Sequence, residues 1–200
     1  QLQQEPLYSL FTSNSDGSNK TKIFSSNKYL PRNIYWSSDS RKITFLTSEI
    51  GNSASALQMA SVTGSEGNTR IDAGTPFYWS WSPNNKTIVV HIPPSTIQAY
   101  SRLAFLNLDG TFYEESFPFK AGVFQSPAWS PDGNQILVAA LSETQSDLIL
   151  TDQHSSLYQK IHSSKGSLLF SWSPDGKHIA YIERLTEQDQ NISSLSIVNT

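Results

Sequence analysis

The chain has 200 residues, of which 37% are hydrophobic, 12% aromatic and only 16% charged, with a net charge of −3. No Lys or Arg cluster supplies the basic stripe that a nucleic-acid partner needs to neutralise its phosphates. The absence of Cys excludes a disulfide framework, Cys-ligated zinc and thiol catalysis, and no run of 18 apolar residues is present to span a membrane.

Ten Gly and ten Pro among many Ser, Asn and Thr mark frequent turns. Sparse charge favours short strands over helices, whose surfaces carry more Glu, Lys and Arg. Residues 7–11 and 22–25 read as two strands joined by the turn at Asp16 and Gly17. A repeat then sets in. Four segments superimpose without gaps: 36–43 (WSSDSRKI), 81–88 (WSPNNKTI), 129–136 (WSPDGNQI) and 172–179 (WSPDGKHI). Their tryptophans, Trp36, Trp81, Trp129 and Trp172, are 45, 48 and 43 residues apart.

Each copy reads as a strand, a tight turn and a second strand. Pro presets φ at the first corner, Asp or Asn bonds to nearby backbone, and Gly supplies a positive φ. Asp132–Gly133 and Asp175–Gly176 are therefore hairpin turns, and Asp39–Ser40 and Asn84–Asn85 weaker versions. The strands after the turns, such as 136–139 and 179–182, are continuously apolar, as expected where both faces are covered. Two further strands complete each period: 56–62 and 69–73, 103–108 and 111–119 around the Asp109–Gly110 turn, and 147–151 and 157–162. Residues 195–199 match 103–107.

Four strands in roughly 45 residues is the period of a propeller blade. The expected fold is all-β, a β-propeller segment of four-stranded antiparallel blades, forming an open arc of a larger propeller. The boundaries are a partial blade at 1–30, blades at 31–75, 76–122 and 123–166, and a partial blade at 167–200.

The Trp-Ser-Pro-Asp-Gly core, with its Asp-Gly turn before the fourth strand, resembles the repeat of TolB-type propellers. It is also similar to the propeller domains of prolyl oligopeptidase-type peptidases. The likeness covers nearly the whole chain, although Ser38 and Ser40 replace Pro and Gly in the first copy. It implies a periplasmic or extracellular protein that binds other proteins. The motif describes turns and packing, so it leaves the activity open.

The four repeat tryptophans and Trp79 read as packing between blades, not as ligand-stacking residues. Asp132 and Asp175 are explained by their turns. The four histidines lack zinc-ligand spacing. Glu183, Glu187 and Asp189, and the pair Glu114–Glu115, read as solvated loops. No nucleophile elbow, phosphate loop or dinucleotide fingerprint is present, so no catalytic residue, cofactor or metal site is assigned.

Strands alternate in direction, so with the four strands of a blade labelled A to D in chain order from the Trp-bearing strand, each blade has its A–B and C–D turns at one end and its B–C and D–A connections at the other. The second set varies: 47–55, 92–101, 141–146 and 183–193 between B and C, and 26–32, 74–78, 120–126 and 163–167 between D and A. Variable loops on a rigid scaffold carry function. These hold Tyr29, Arg32, Tyr78, Tyr100 and Phe124, of which Arg32, Tyr78 and Phe124 are the candidate partner-binding residues.

The leading expectation is a non-catalytic protein- or peptide-binding scaffold. The alternative is the substrate-gating propeller of a prolyl oligopeptidase-type serine peptidase. A third is a lyase or glycan-binding propeller with its site in the central channel.

Overall fold

A computed structural model of the chain describes residues 7–49, 55–71, 78–92, 102–108, 111–114, 117, 119–122, 125–142, 144–187 and 190–200. Every regular element among them is a β-strand, and all pairing is antiparallel. The chain forms two compact units, Gln1–Pro76 and Phe77–Thr200.

In the first unit, β1 (Tyr8–Thr12) pairs with β2 (Thr21–Ser26). Four more strands, β3 (Tyr29–Trp36), β4 (Lys42–Glu49), β5 (Ser55–Ser61) and β6 (Asn68–Arg70), form a sheet in chain order. Its core joins Ile23 and Phe24 of β2 to Ile43 and Phe45 of β4 and Ala60 of β5. Phe24 and Phe45 meet edge to face at 5.2 Å.

The second unit repeats the plan. One sheet holds β7 (Tyr78–Trp81), β8 (Thr87–Ile92), β9 (Arg102–Asn107) and β10 (Phe112–Glu114). In the next, β11 (Lys120–Ala121) and β12 (Ala128–Trp129) are two short pieces that both pair with β13 (Ile136–Leu141). β14 (Ser146–Thr151) and β15 (Tyr158–Ser164) complete that sheet. The last sheet has three strands, β16 (Ser167–Trp172), β17 (His178–Glu187) and β18 (Gln190–Asn199), with β18 at its edge.

The repeat appears as one register. Trp36, Trp81, Trp129 and Trp172 lie opposite Ile43, Ile88, Ile136 and Ile179. The turns between them are built alike. The Ser after each Trp donates its hydroxyl to the Asp or Asn two residues on: Ser37 to Asp39 (2.7 Å), Ser82 to Asn84 (2.8 Å), Ser130 to Asp132 (2.6 Å) and Ser173 to Asp175 (2.6 Å). The same hydroxyls accept the backbone N–H of Lys42, Thr87, Gln135 and His178. The residue after Asp or Asn has positive φ whatever its type: Ser40 59°, Asn85 58°, Gly133 76° and Gly176 71°.

Adjacent sheets of the second unit interlock through equivalent positions. Leu137, Ala139, Leu148 and Leu150 pack on Leu168, Phe170, Ile179 and Tyr181. One repeat earlier, Val89, Leu103 and Phe105 pack on Trp129, Ile136 and Val138. Each fully buried aliphatic side chain contributes about 1.5–3 kcal/mol. The indole N–H of Trp129 donates to the carbonyl of Ser80 (3.3 Å), and that of Trp172 to the carbonyl of Ala128 (3.0 Å). In both cases the acceptor immediately precedes the Trp of the previous copy. A Cβ on Gly133 or Gly176 would rest 3.5 or 3.6 Å from Cδ of Pro83 or Pro131. The Pro of one copy thus backs the turn of the next.

Several expected loops are strands. β3 begins at Tyr29, so Tyr29 and Arg32 lie in a strand, not in a 26–32 connection. Pro31 is compatible with this because β3 is an edge strand, where a missing N–H costs no ladder bond. β4 runs on to Glu49, and β11 occupies the start of 120–126. The 183–193 connection is mostly ladder: Arg184 pairs with Ser193 and Leu185 with Ile192. Its charged residues suggested a solvated loop, but a half-exposed ladder takes charge on alternate positions as readily. The Asp109–Gly110 turn lies outside the described residues.

Candidate functional site

The candidate residues are scattered. Arg32 is exposed on β3, opposite Leu46, and its guanidinium donates to Ser55 Oγ at 3.1 Å. Tyr78 is half-buried at the start of β7, opposite His91, with ring centroids 6.2 Å apart. Phe124 and Tyr100 lie outside the described residues. Arg32 falls in the first unit and Tyr78 in the second.

The repeat tryptophans differ in cover. Trp81 and Trp129 are buried and Trp172 half-buried, but Trp36 is 53% exposed. Among the described residues, the β1–β2 sheet has no strand in the place from which Trp129 and Trp172 receive their acceptor carbonyls. Asp132 and Asp175 sit in their turns. The Ser130 and Ser173 hydroxyls, then the N–H groups of Asn134 and Lys177, hold these carboxyls below the usual range.

At the other end of the last sheet lies an open groove of about 720 Å³. It is lined by Lys165, Gly166 and Ser167 from the β15–β16 connection, Arg184 and Leu185 of β17, and Asn191, Ile192 and Ser193 of β18. Ser167, Arg184 and Ser193 lie opposite one another across the three strands and so share one face. Lys165 and Arg184 are exposed and make no ion pair or hydrogen bond among the described residues. Gly166 is required where the connection crosses β17, because a Cβ there would overlap the Arg184 carbonyl oxygen.

Two polar clusters of the second unit join strands, one within a sheet and one between adjacent sheets. Buried Asp147 of β14 accepts from Ser163 (2.6 Å) and pairs with Lys160 (2.7 Å), both on β15. Burial alone would raise this carboxyl, but Lys160, Ser163 and Gln145 together hold it below its ordinary value. His162 of β15 stacks on Tyr181 of β17 at 4.7 Å and approaches Glu183 at 3.4 Å. Gln125 spans the sheets by accepting from the Phe170 N–H (2.9 Å) and donating to the Phe170 carbonyl (2.6 Å).

The groove residues Lys165 and Arg184 were not legible in the sequence. They stand 19 positions apart, and only the register of β16 on β17 brings them together. Both fall within segments, 163–167 and 183–193, that the sequence marks as variable connections.

No family model matches the chain, and no curated protein matches it. Solved structures do. TolB from Acinetobacter baumannii superposes with a TM-score of 0.64 at 16% identity, over 94% of this chain and 48% of its own. An oligogalacturonate lyase in complex with manganese gives 0.70 at 11%, over 96% of this chain and 56% of its own. A prolyl endopeptidase gives 0.63 at 12%, over 87% of this chain and 28% of its own. The chain is a β-propeller segment with the fold of TolB and of peptidase propeller domains. It spans about half the length of the TolB and lyase structures.

Proposed function

We propose that this chain is a non-catalytic protein- or peptide-binding scaffold, a TolB-like propeller segment of an envelope or secreted protein and one open arc of a larger propeller. The observation that carries the reading is the groove on the last sheet. Two cations with no ion pair among the described residues, three hydroxyl or amide side chains and two aliphatic ones line a space large enough for several residues of a peptide. That lining suits an extended peptide with an acidic side chain. The likeness to TolB supports an envelope location.

The test is selection of displayed peptides on the full chain, followed by Arg184→Ala and Lys165→Ala. Acidic peptides that lose binding to these variants, yet keep it with Asn134→Ala and Lys177→Ala at the turn end, are the expected result. Peptides that depend only on Asn134 or Lys177 would refute the assignment.

A second reading, the gating propeller of a serine peptidase, is favoured by the prolyl endopeptidase likeness. Under either reading this segment performs no hydrolysis itself. Turnover of a peptide or ester substrate, abolished by one substitution within residues 1–200, would overturn that. A coding region that follows Thr200 with a Gly-x-Ser-x-Gly elbow, then Asp and His, would select the peptidase reading.

A further inference from the structure

We propose that His162 and Glu183 form a pH-sensitive clasp between the last two sheets of the second unit, fastened in mildly acidic solution and released above neutrality. The clasp does not depend on the binding role argued above.

The repeat shows that this joint is built differently from the others. Tyr181 and Glu183 stand two and four residues after the repeat isoleucine Ile179. The same places hold Phe45 and Thr47 after Ile43, Val90 and Ile92 after Ile88, and Val138 and Ala140 after Ile136. Residues of this alternate set face the preceding sheet: Phe45 shares a core with β2, Val138 with β9, and Tyr181 with β13 and β14. None of the six counterparts ionises, so the fold does not require an ionisable group there.

The partner comes from the preceding sheet. His162 lies opposite Leu148, which packs on β16 and β17. Its imidazole stacks on the Tyr181 ring with centroids 4.7 Å apart and planes 28° apart. Its Nε2 lies 3.4 Å from Glu183 Oε2. Nε2 is shut off from solvent and has no hydrogen-bond partner among the described residues.

That geometry favours a proton on the ring. A neutral imidazole offers the carboxylate either a lone pair, which it repels, or one N–H. A protonated imidazole carries N–H on both nitrogens and a full charge. The charge then meets the carboxylate through Nε2 and the π face of Tyr181 from above. Fastening needs His162 protonated and Glu183 ionised. It is therefore strongest between the ordinary carboxylate value of about 4.3 and the ordinary imidazole value of about 6.5, and is lost as pH leaves that window on either side.

No other described carboxylate competes. Asp147 pairs with Lys160, which lies opposite Ile149 and so on the other face from Leu148. β13 and β16 present Leu137, Ala139, Leu168 and Phe170, and β18 has no ionisable side chain. Arg184 alternates to the far face of β17, and Lys165 is exposed in the connection after β15. Glu187 is four residues further along β17, roughly 13 Å away. In a protein exposed to the outside medium, the clasp would dock the last sheet more firmly in acid. That consequence rests on the envelope or secreted location proposed above.

The test is a double-mutant cycle on the full chain: native, His162→Gln, Glu183→Gln and the two combined. Amide protection factors along β16 and β17 are measured at about pH 5.5 and about pH 8. The cycle cancels the other histidines, which titrate in the same window. We expect each single variant to lower protection about threefold to tenfold at the lower pH, with no further loss in the double variant, and all four forms to agree at the higher pH. Coupling that is equal at both pH values, or larger in alkali, would overturn the proposal. The native chain alone gives a check that no substitution can spoil. Protection of β16 and β17 relative to β8 and β9 should rise as pH falls to about 5.5 and drop again below about 4. A flat ratio would overturn the proposal as well.

Discussion

Ser40 shows how firmly the turn is set by its surroundings. A non-glycine residue at positive φ costs about 1–2 kcal/mol, yet Ser40 adopts the backbone of Gly133 and Gly176. The Ser37 hydroxyl and the Asp39 carboxylate supply the compensating bonds. Ser40→Gly should therefore raise stability by about 0.5–1 kcal/mol, offset in part by the freer unfolded chain. Gly133→Ala should lower it by about 1–2 kcal/mol through backbone strain. Urea midpoints check both; a lower midpoint for Ser40→Gly would show that the serine contributes a bond of its own. Asp147 gives a pH dependence. Its folded pKa lies below its ordinary value near 3.8, so its stabilisation is fully present above that value and is lost as pH falls through the folded one. Lys160 is shifted up from 10.5, and its share is lost as pH rises through the folded value. Asp147→Asn should cost about 1–2 kcal/mol at neutral pH, and the gap to the native chain should close in strong acid. A gap independent of pH would mean that the carboxylate charge contributes nothing.

At the scale of strands, the repeat tryptophans have unequal weight although their sequence contexts match. Trp172→Phe removes the indole donor and leaves the Ala128 carbonyl with its place in the β12–β13 ladder alone, which should cost about 0.5–1.5 kcal/mol. Trp36 is largely exposed and makes no hydrogen bond among the described residues, so Trp36→Phe should shift stability by about 0.5 kcal/mol or less. Equal losses in chemical denaturation would contradict the packing described. The sequence made the Trp-to-Ile register and the turns readable because both are local and recur four times. It did not make β3 or the β17–β18 ladder readable beyond their turns. There Pro31, Glu183, Arg184 and Glu187 resembled loop residues, and only cross-strand partners such as Thr47 and Ser193 show them in sheets. The groove was hidden for the same reason: it exists through pairing, not through spacing. Gln125 escaped notice because a lone amide in a loop carries no pattern.

For the molecule as a whole, low charge bears on association. The isoelectric point is near 5.8, and repulsion between copies is weakest there. Light scattering should be greatest near that pH and fall as the solution is made alkaline. Scattering that ignores pH would show that net charge does not limit association. The bonds from Trp129 to Ser80 and from Trp172 to Ala128 carry a further consequence. Each links one position of the repeat to a different, fixed position of the copy one period earlier, as the Pro83–Gly133 and Pro131–Gly176 contacts do. Duplicating or deleting one whole period would reconnect every donor to an acceptor of the same kind. A gain or loss of half a period would orphan an indole on one side and a carbonyl on the other. Such a chain can lengthen in evolution only by whole steps of about 45 residues, and each Pro–Gly pair is then inherited across the seam between copies, not within one.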